Sequence, residues 1–236
     1  MSEAYTGDVT VGGPTAVRVL DEIEIRKVGV GPMQNNAYLV TCRRDGAQLL
    51  VDAAAEPDRL LALVREGNGG ARLDLVVTTH RHRDHLGALR SIVTVTGAPV
   101  AAGADDADEV ERLADVPVPR RLHAGDVLVV GHATLEVVAL RGHTPGSVAL
   151  VYREPEHAAA PGSHPGRAHL FTGDSLFPGG VGRTGSPEDF ASLWSDVVER
   201  LFDRFDDSAW VYPGHGADTT LGAERPHLDE WRERGW

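Results

Sequence analysis

The chain is nearly without cysteine and lysine. In 236 residues it has one cysteine, Cys42, and one lysine, Lys27. A lone cysteine excludes an internal disulfide and fits a reducing compartment. Cys42 ends an apolar run that reads as a strand, which favours a small core residue over a nucleophile. No apolar run approaches the length that spans a bilayer. The first ten residues, MSEAYTGDVT, have neither the basic start nor the apolar centre of a signal peptide. A cytoplasmic chain without a membrane partner is the expectation. Runs of Lys and Arg are also missing, and the formal net charge is −12. That charge repels nucleic-acid phosphates, so no nucleic-acid partner is expected. Nor is there a Ser-His-Asp or Cys-His arrangement to supply a side-chain nucleophile. The Gly-rich stretch 179–185 lacks the Gly-Lys-Ser/Thr of a phosphate-binding loop.

Residues 1–15 are polar and read as a loose N-terminal arm. Residues 16–236 read as one domain, since neither an internal repeat nor a second domain is visible. Apolar residues largely alternate from 17 to 28, which predicts two strands around a turn at Asp21-Glu22. After a loop at 33–36, strands are expected at 37–42 and 48–51, giving an antiparallel meander. A helix follows at 57–66, then a strand at 73–78, a helix at 84–95 and a strand at 99–102. The acidic helix at 105–113 reads as a solvated face. Strands are expected at 126–130, 134–140, 147–152, 168–172 and 209–212. Residues 153–168 are rich in Pro, Gly, Ala and His without periodicity and read as a mobile surface insertion. His157, His164 and His169 in or beside it read as surface histidines. A Gly-rich loop spans 176–185. Ser186 and Pro187 then start a helix that runs to about residue 204 and buries Phe190, Leu193, Trp194, Val197, Val198 and Leu201. The tail from 217 reads as one or two helical turns.

Against this background one stretch stands out. Residues 79–85 read THRHRDH, with His80, His82, Asp84 and His85 inside six residues. In an extended segment His80 and His82 point the same way. The chain then turns, so Asp84 and His85 can face a second point. One metal cannot easily use all four groups, whereas two neighbouring metals can. Further donors sit just past other strands, in tight Gly- or Pro-bearing turns: Asp52, His143, Asp174 and His215. Ligands at strand ends can converge on one rim of a sheet. Five histidines with two of the aspartates suit two zinc ions that share one carboxylate.

THRHRDH, followed by GHTPGS at 142–147, TGDSLF at 172–177 and PGHG at 213–216, resembles the metallo-β-lactamase superfamily over nearly the whole chain. The order of the motifs and the TLGAER stretch at 220–225 are similar to short members of its glyoxalase II-like (hydroxyacylglutathione hydrolase-like) branch. The resemblance implies an α+β fold, a four-layer αββα sandwich with mostly mixed or antiparallel sheets. It implies two divalent metals, zinc first, with iron or manganese as alternatives. His80, His82 and His143 would hold one metal. Asp84, His85 and His215 would hold the other, with Asp174 bridging and Asp52 orienting ligands. The implied activity is hydrolysis of a small acyl-thiol by metal-activated water, with Asp84 placing that water. Arg183 matches a basic position that contacts the thiol cofactor. The helical domain that helps full-length glyoxalase II enzymes bind glutathione is not expected in the twenty residues after Gly216, so another thiol carrier fits as well. A mononuclear iron persulfide dioxygenase is the rival reading, with His80, His143 and Asp174 on the iron. A lactonase and a non-enzymatic metal-binding module are weaker rivals. Asp174 stands where a true β-lactamase usually has Cys or Ser.

Overall fold

Residues 148–152 show why the chain forms layers. Val148, Leu150 and Tyr152 belong to one buried apolar cluster, while Ala149 and Val151 belong to another. A strand buried on both faces needs apolar partners on both sides. The computed structural model, which describes residues 5–70 and 72–235, satisfies this with two sheets packed face to face and helices outside each. The fold is α+β, an αββα sandwich.

The first sheet has seven strands in chain order. Strands β1 (Ala16–Val19), β2 (Ile23–Val30), β3 (Asn35–Cys42) and β4 (Gln48–Val51) form the expected antiparallel meander. Strands β5 (Leu75–Thr78), β6 (Val100–Gly103) and β7 (Arg120–Leu122) are then added in parallel. Parallel neighbours need crossovers, supplied by α1 (Pro57–Asn68), α2 (Leu89–Thr96) and α3 (Ala104–Ala114). These helices bury Leu60, Val64, Leu89, Ile92 and Val110 against Leu39, Leu50, Val76 and Val100.

The second sheet contains β8 (Val127–Val130), β9 (Ala133–Ala139), β10 (Val148–Arg153) and β11 (Ala168–Gly173). A short hairpin follows, β12 (Leu176–Phe177) and β13 (Gly180–Val181), and then α4 (Pro187–Val197). Strand β14 (Trp210–Pro213) pairs in parallel with β11, and β15 (Thr219–Thr220) closes that edge. Ser186 caps α4, its side chain accepting the Asp189 amide. Across the interface between the sheets, Leu49, Val77 and Leu150 share one core with Tyr38, Phe171 and Tyr212.

Several expectations are corrected. Asn35 and Asn36 lie in β3 and not in a loop. Arg83–His85 form a single 3₁₀ turn, and the regular helix begins at Leu89. The tight turn keeps Asp84 and His85 aimed at the sheet rim. The Gly-rich stretch contains the β12–β13 hairpin. Helix α4 passes into a π-type turn at Val198–Phe202, and Phe190, Trp194 and Val198 are only partly buried.

His169 is not a surface histidine. It is 0 % exposed, because the alternation of β11 puts it on the same face as Phe171. Its Nδ1 meets Tyr212 Oη at 2.8 Å and its Nε2 meets Glu154 Oε1 at 2.9 Å. Burial pushes its pKa down to about 4, against the pull of Glu154. Glu154 and Arg167, at the two ends of the expected insertion, are buried and ion-paired.

Residues 1–4 of the arm lie outside the described residues. From Tyr5 onward the arm is docked: the Tyr5 ring packs edge-on against Trp210, and its hydroxyl donates to Asp218. The tail is more ordered than its composition suggests, with β15, α5 (Leu221–Glu224) and α6 (Leu228–Arg234). Trp231 anchors it against Phe202 in the outer core of the second sheet. Among the described residues no helix is long and apolar enough to cross a membrane.

Trp231 is 2 % exposed, so Trp231→Ala is expected to cost about 3–5 kcal/mol of stability. Urea unfolding checks this, as a lowered midpoint with an unchanged m value.

Candidate metal centre

The site is built where strands end. His80 follows β5, His143 follows β9, Asp174 follows β11 and His215 follows β14. The structure brings seven predicted donors together. His80, His82 and His143 form one trio, and Asp84, His85 and His215 form another; within each, one donor atom per residue lies within 4.8 Å of the others. A third group by the same measure, His80, His85 and Asp174, joins the two. Asp174 Oδ2 lies 3.8 Å from His143 Nε2 and 3.4 Å from His215 Nε2, and its Oδ1 lies 3.4 Å from His85 Nε2. Asp174 therefore reaches toward both trios.

Four of the five rings are fixed through Nδ1, which leaves Nε2 for the centre. His85 Nδ1 meets Asp52 Oδ2 at 2.9 Å. His80 Nδ1 lies 3.0 Å from Thr79 Oγ1, which itself donates to Asp52 Oδ2 at 2.8 Å. His143 Nδ1 lies 2.7 Å from the Arg183 carbonyl, and His215 Nδ1 lies 3.0 Å from the Met33 carbonyl. A carbonyl only accepts, so these rings carry their proton on Nδ1. This is the arrangement that orients a metal-binding imidazole. The donor set fits divalent metals on a further observation. His80 Nε2, His143 Nε2 and Asp174 Oδ1 are buried without a hydrogen-bond partner, a condition that proteins avoid unless something else occupies the partner's place.

Asp52 sits behind these ligands and is 1 % exposed. Its backbone is left-handed, with φ at 58°, a conformation that aspartate tolerates better than most residues. Its carboxylate also accepts the Thr79 amide at 2.8 Å. Close approach elsewhere demands glycine. A Cβ at Gly214 would lie 2.0 Å from Asp174 Oδ1, and one at Gly182 would lie 1.7 Å from the Asp174 carbonyl.

Sequence reasoning missed three supporting residues. Asp106, assigned to a solvated helix face, is 0 % exposed. It accepts the Arg81 amide at 3.0 Å, the Thr144 hydroxyl at 2.5 Å and the Gly146 amide at 3.0 Å, so it ties the His80–His82 loop to the His143 loop. Its acidic neighbours Asp105, Asp108 and Glu109 hid it. Asn35 Nδ2 donates to Asp84 Oδ2 at 2.8 Å. Asn36 donates its amide to Gly214 O at 2.7 Å and its side chain to Pro213 O and Gly216 O, each at 2.9 Å. The Asn-Asn pair was visible, and reading it as a loop removed the reason to look further. Arg183 reaches the site through its carbonyl, while its side chain is exposed.

The electrostatics divide the site. Burial, then His85, holds the His80 imidazole well below its usual range, and burial, then His143, lowers His82. Burial also presses on His85 and His215, but carboxylates outweigh it. Asp52 and Asp174 hold His85 up to about 10, and Asp174 and Asp84 hold His215 up to about 9. The hydrogen bond from His215 keeps the Asp84 carboxyl well below the ordinary range. Burial would raise Asp174, yet His215 and His85 keep it ionised.

Two donor trios joined by one aspartate, on the rim of an αββα sandwich, define the class as a metallohydrolase fold with a paired-metal centre. The model of the Metallo-beta-lactamase superfamily matches residues 30–215, and the chain belongs to that superfamily. It is 28 % identical over 219 residues to the hydroxyacylglutathione hydrolase GloC of Haemophilus influenzae, covering 86 % of this chain and 95 % of that one. It is 31 % identical over 183 residues to a hydroxyacylglutathione hydrolase of Polaromonas sp., covering 77 % of this chain but only 62 % of that enzyme's length. Among solved structures it resembles TTHA1623 in a di-iron-bound form, with a TM-score of 0.62 and 33 % identity over 84 % of this chain and 96 % of that one.

At neutral pH His85 and His215 hold protons that a metal must displace, while His80 and His82 are already neutral. Metal uptake by the metal-free chain is therefore expected to release about two protons at the trio with Asp84. Affinity there should fall as pH drops below about 9. Titration calorimetry in buffers of different ionisation heat measures the released protons.

Proposed function

We propose that this metal-dependent hydrolase is a thioesterase of the glyoxalase II type acting on a small acyl-thiol. The observation that carries the reading is the pair of donor trios with Asp174 between them. In this reading His80, His82 and His143 hold one metal and Asp84, His85 and His215 the other. Asp174 is shared, and zinc is the preferred ion because imidazole and carboxylate donors suit it. The names of the Haemophilus and Polaromonas relatives support the thioester.

Bound there, two divalent metals supply Lewis acidity toward a carbonyl and lower the pKa of water to near neutrality. The rest falls to the chain. Asp52 and Thr79 keep His80 and His85 in the tautomer that presents Nε2. The ionised Asp84, steadied by Asn35, places the attacking water, and the shared Asp174 holds the two halves of the site in register. No strong general acid is required, because a thiolate with a pKa near 8.5 leaves readily. The exposed Arg183 side chain is free to meet an anionic group on the thiol carrier. The lone, buried Cys42 suits a reducing cytoplasm.

Elemental analysis of protein purified without chelators tests the reading, with about two zinc per chain expected and thioester turnover lost on chelation. One iron per chain, with oxygen consumed on a persulfide, would replace it with the dioxygenase. Asp174→Ala is expected to lose metal and to lower kcat/KM by at least 100-fold. Full activity with metal retained in that variant would end the two-metal model.

A further inference from the structure

The chain's only lysine is 0 % exposed. Lys27 lies on β2, and its ammonium reaches three acceptors: Gly7 O at 2.8 Å, Gly216 O at 2.8 Å and Asp218 Oδ1 at 2.7 Å. An ammonium has three protons, and all three are committed. Asp218 is satisfied in turn on its other oxygen by Tyr5 Oη at 2.8 Å and Trp210 Nε1 at 2.9 Å.

The acceptor that matters is Gly216 O, one residue past His215. That carbonyl has a second donor, Asn36 Nδ2, and Asn36 also holds the carbonyls of Pro213 and Gly214. The turn carrying His215 is thus gripped on its N-terminal side by Asn36 and on its C-terminal side by Asn36 and Lys27 together. None of these bonds touches the loops of His80, His82 or His143. An arginine is a poor substitute, because its donors are fixed in one plane whereas the three donors of an ammonium rotate to meet their acceptors. A chain that uses arginine for every other cation keeps a lysine at this one place.

We infer that Lys27 is a positioning residue for His215 and sets the affinity of the trio Asp84–His85–His215 for metal, leaving the other trio alone. The inference rests on the two-metal reading above. Groups of this kind, which orient a ligand without touching metal, change affinity by about 10–100-fold when removed.

The test is metal titration, with cobalt as a spectroscopic probe and chelator competition for zinc, on the full chain and two variants. Lys27→Met removes the donors and keeps the stem. Lys27→Met/Asp218→Asn also removes the carboxylate that would otherwise be buried without its cation. Trp231→Ala serves as a destabilised control expected to keep both metals. Both Lys27 variants are expected to bind the first metal as the parent does and the second about 10–100-fold more weakly, with only one set of cobalt bands altered. Equal weakening of both metals, unchanged affinity for both, or a double variant that fails to fold would each overturn the assignment. A parent chain binding fewer than two metals would remove the two-metal reading and this inference together. A variant with both metals at parental affinity removes this inference alone.

Discussion

The carboxylate of Asp52 is the constraint on which the site depends. It accepts the amide and hydroxyl of Thr79 and the Nδ1 proton of His85, away from solvent. Through Thr79 it also fixes His80. One side chain therefore sets the orientation of a member of each trio, and the two halves of the centre share a common reference. The left-handed backbone at Asp52 has a cost, of order 1 kcal/mol or more, which the surrounding packing sustains. Strand β4, which delivers Asp52, is buried on both faces: Leu50 enters the core beneath the outer helices, and Leu49 and Val51 enter the core between the sheets. The rigid centre of the sandwich is what lets a strained turn persist at its edge.

Much of this was legible in the sequence, for a physical reason. Period-two alternation exposes strands, and metal chemistry exposes itself by composition, since few structural needs place three histidines and an aspartate in six residues. All seven predicted donors converge, and so does Asp52. What remained hidden is the pairing of groups distant along the chain. Asp106 lies among acids that are solvated, and only the fold reveals that it faces inward to join two loops. His169 sits beside a stretch of loop composition, yet β11 carries it into the interface between the sheets. Lys27 gave no signal other than its rarity. The late start of α2 was illegible for a different reason. The 3₁₀ turn at Arg83–His85 brings Asp84 and His85 to donors from distant strands, a tertiary arrangement that local propensity does not record.

Close packing and chemistry are coupled at the rim. The glycines at 182 and 214 leave room for Asp174 to lie against two backbones, so the aspartate shared by both trios is confined from several sides. Carboxylates facing imidazoles stabilise one another there, which is how ionised groups persist away from water.

The burial of the single lysine has one more consequence. Thioesters are acylating agents, and lysine amines are the side chains they modify. A chain that handles such compounds is bathed in electrophile at its own surface. This one exposes guanidinium groups, which stay protonated in proteins, and its single lysine amine is sequestered with every proton bonded. On the proposed substrate, the chain exposes no lysine side chain for an acyl-thiol to mark.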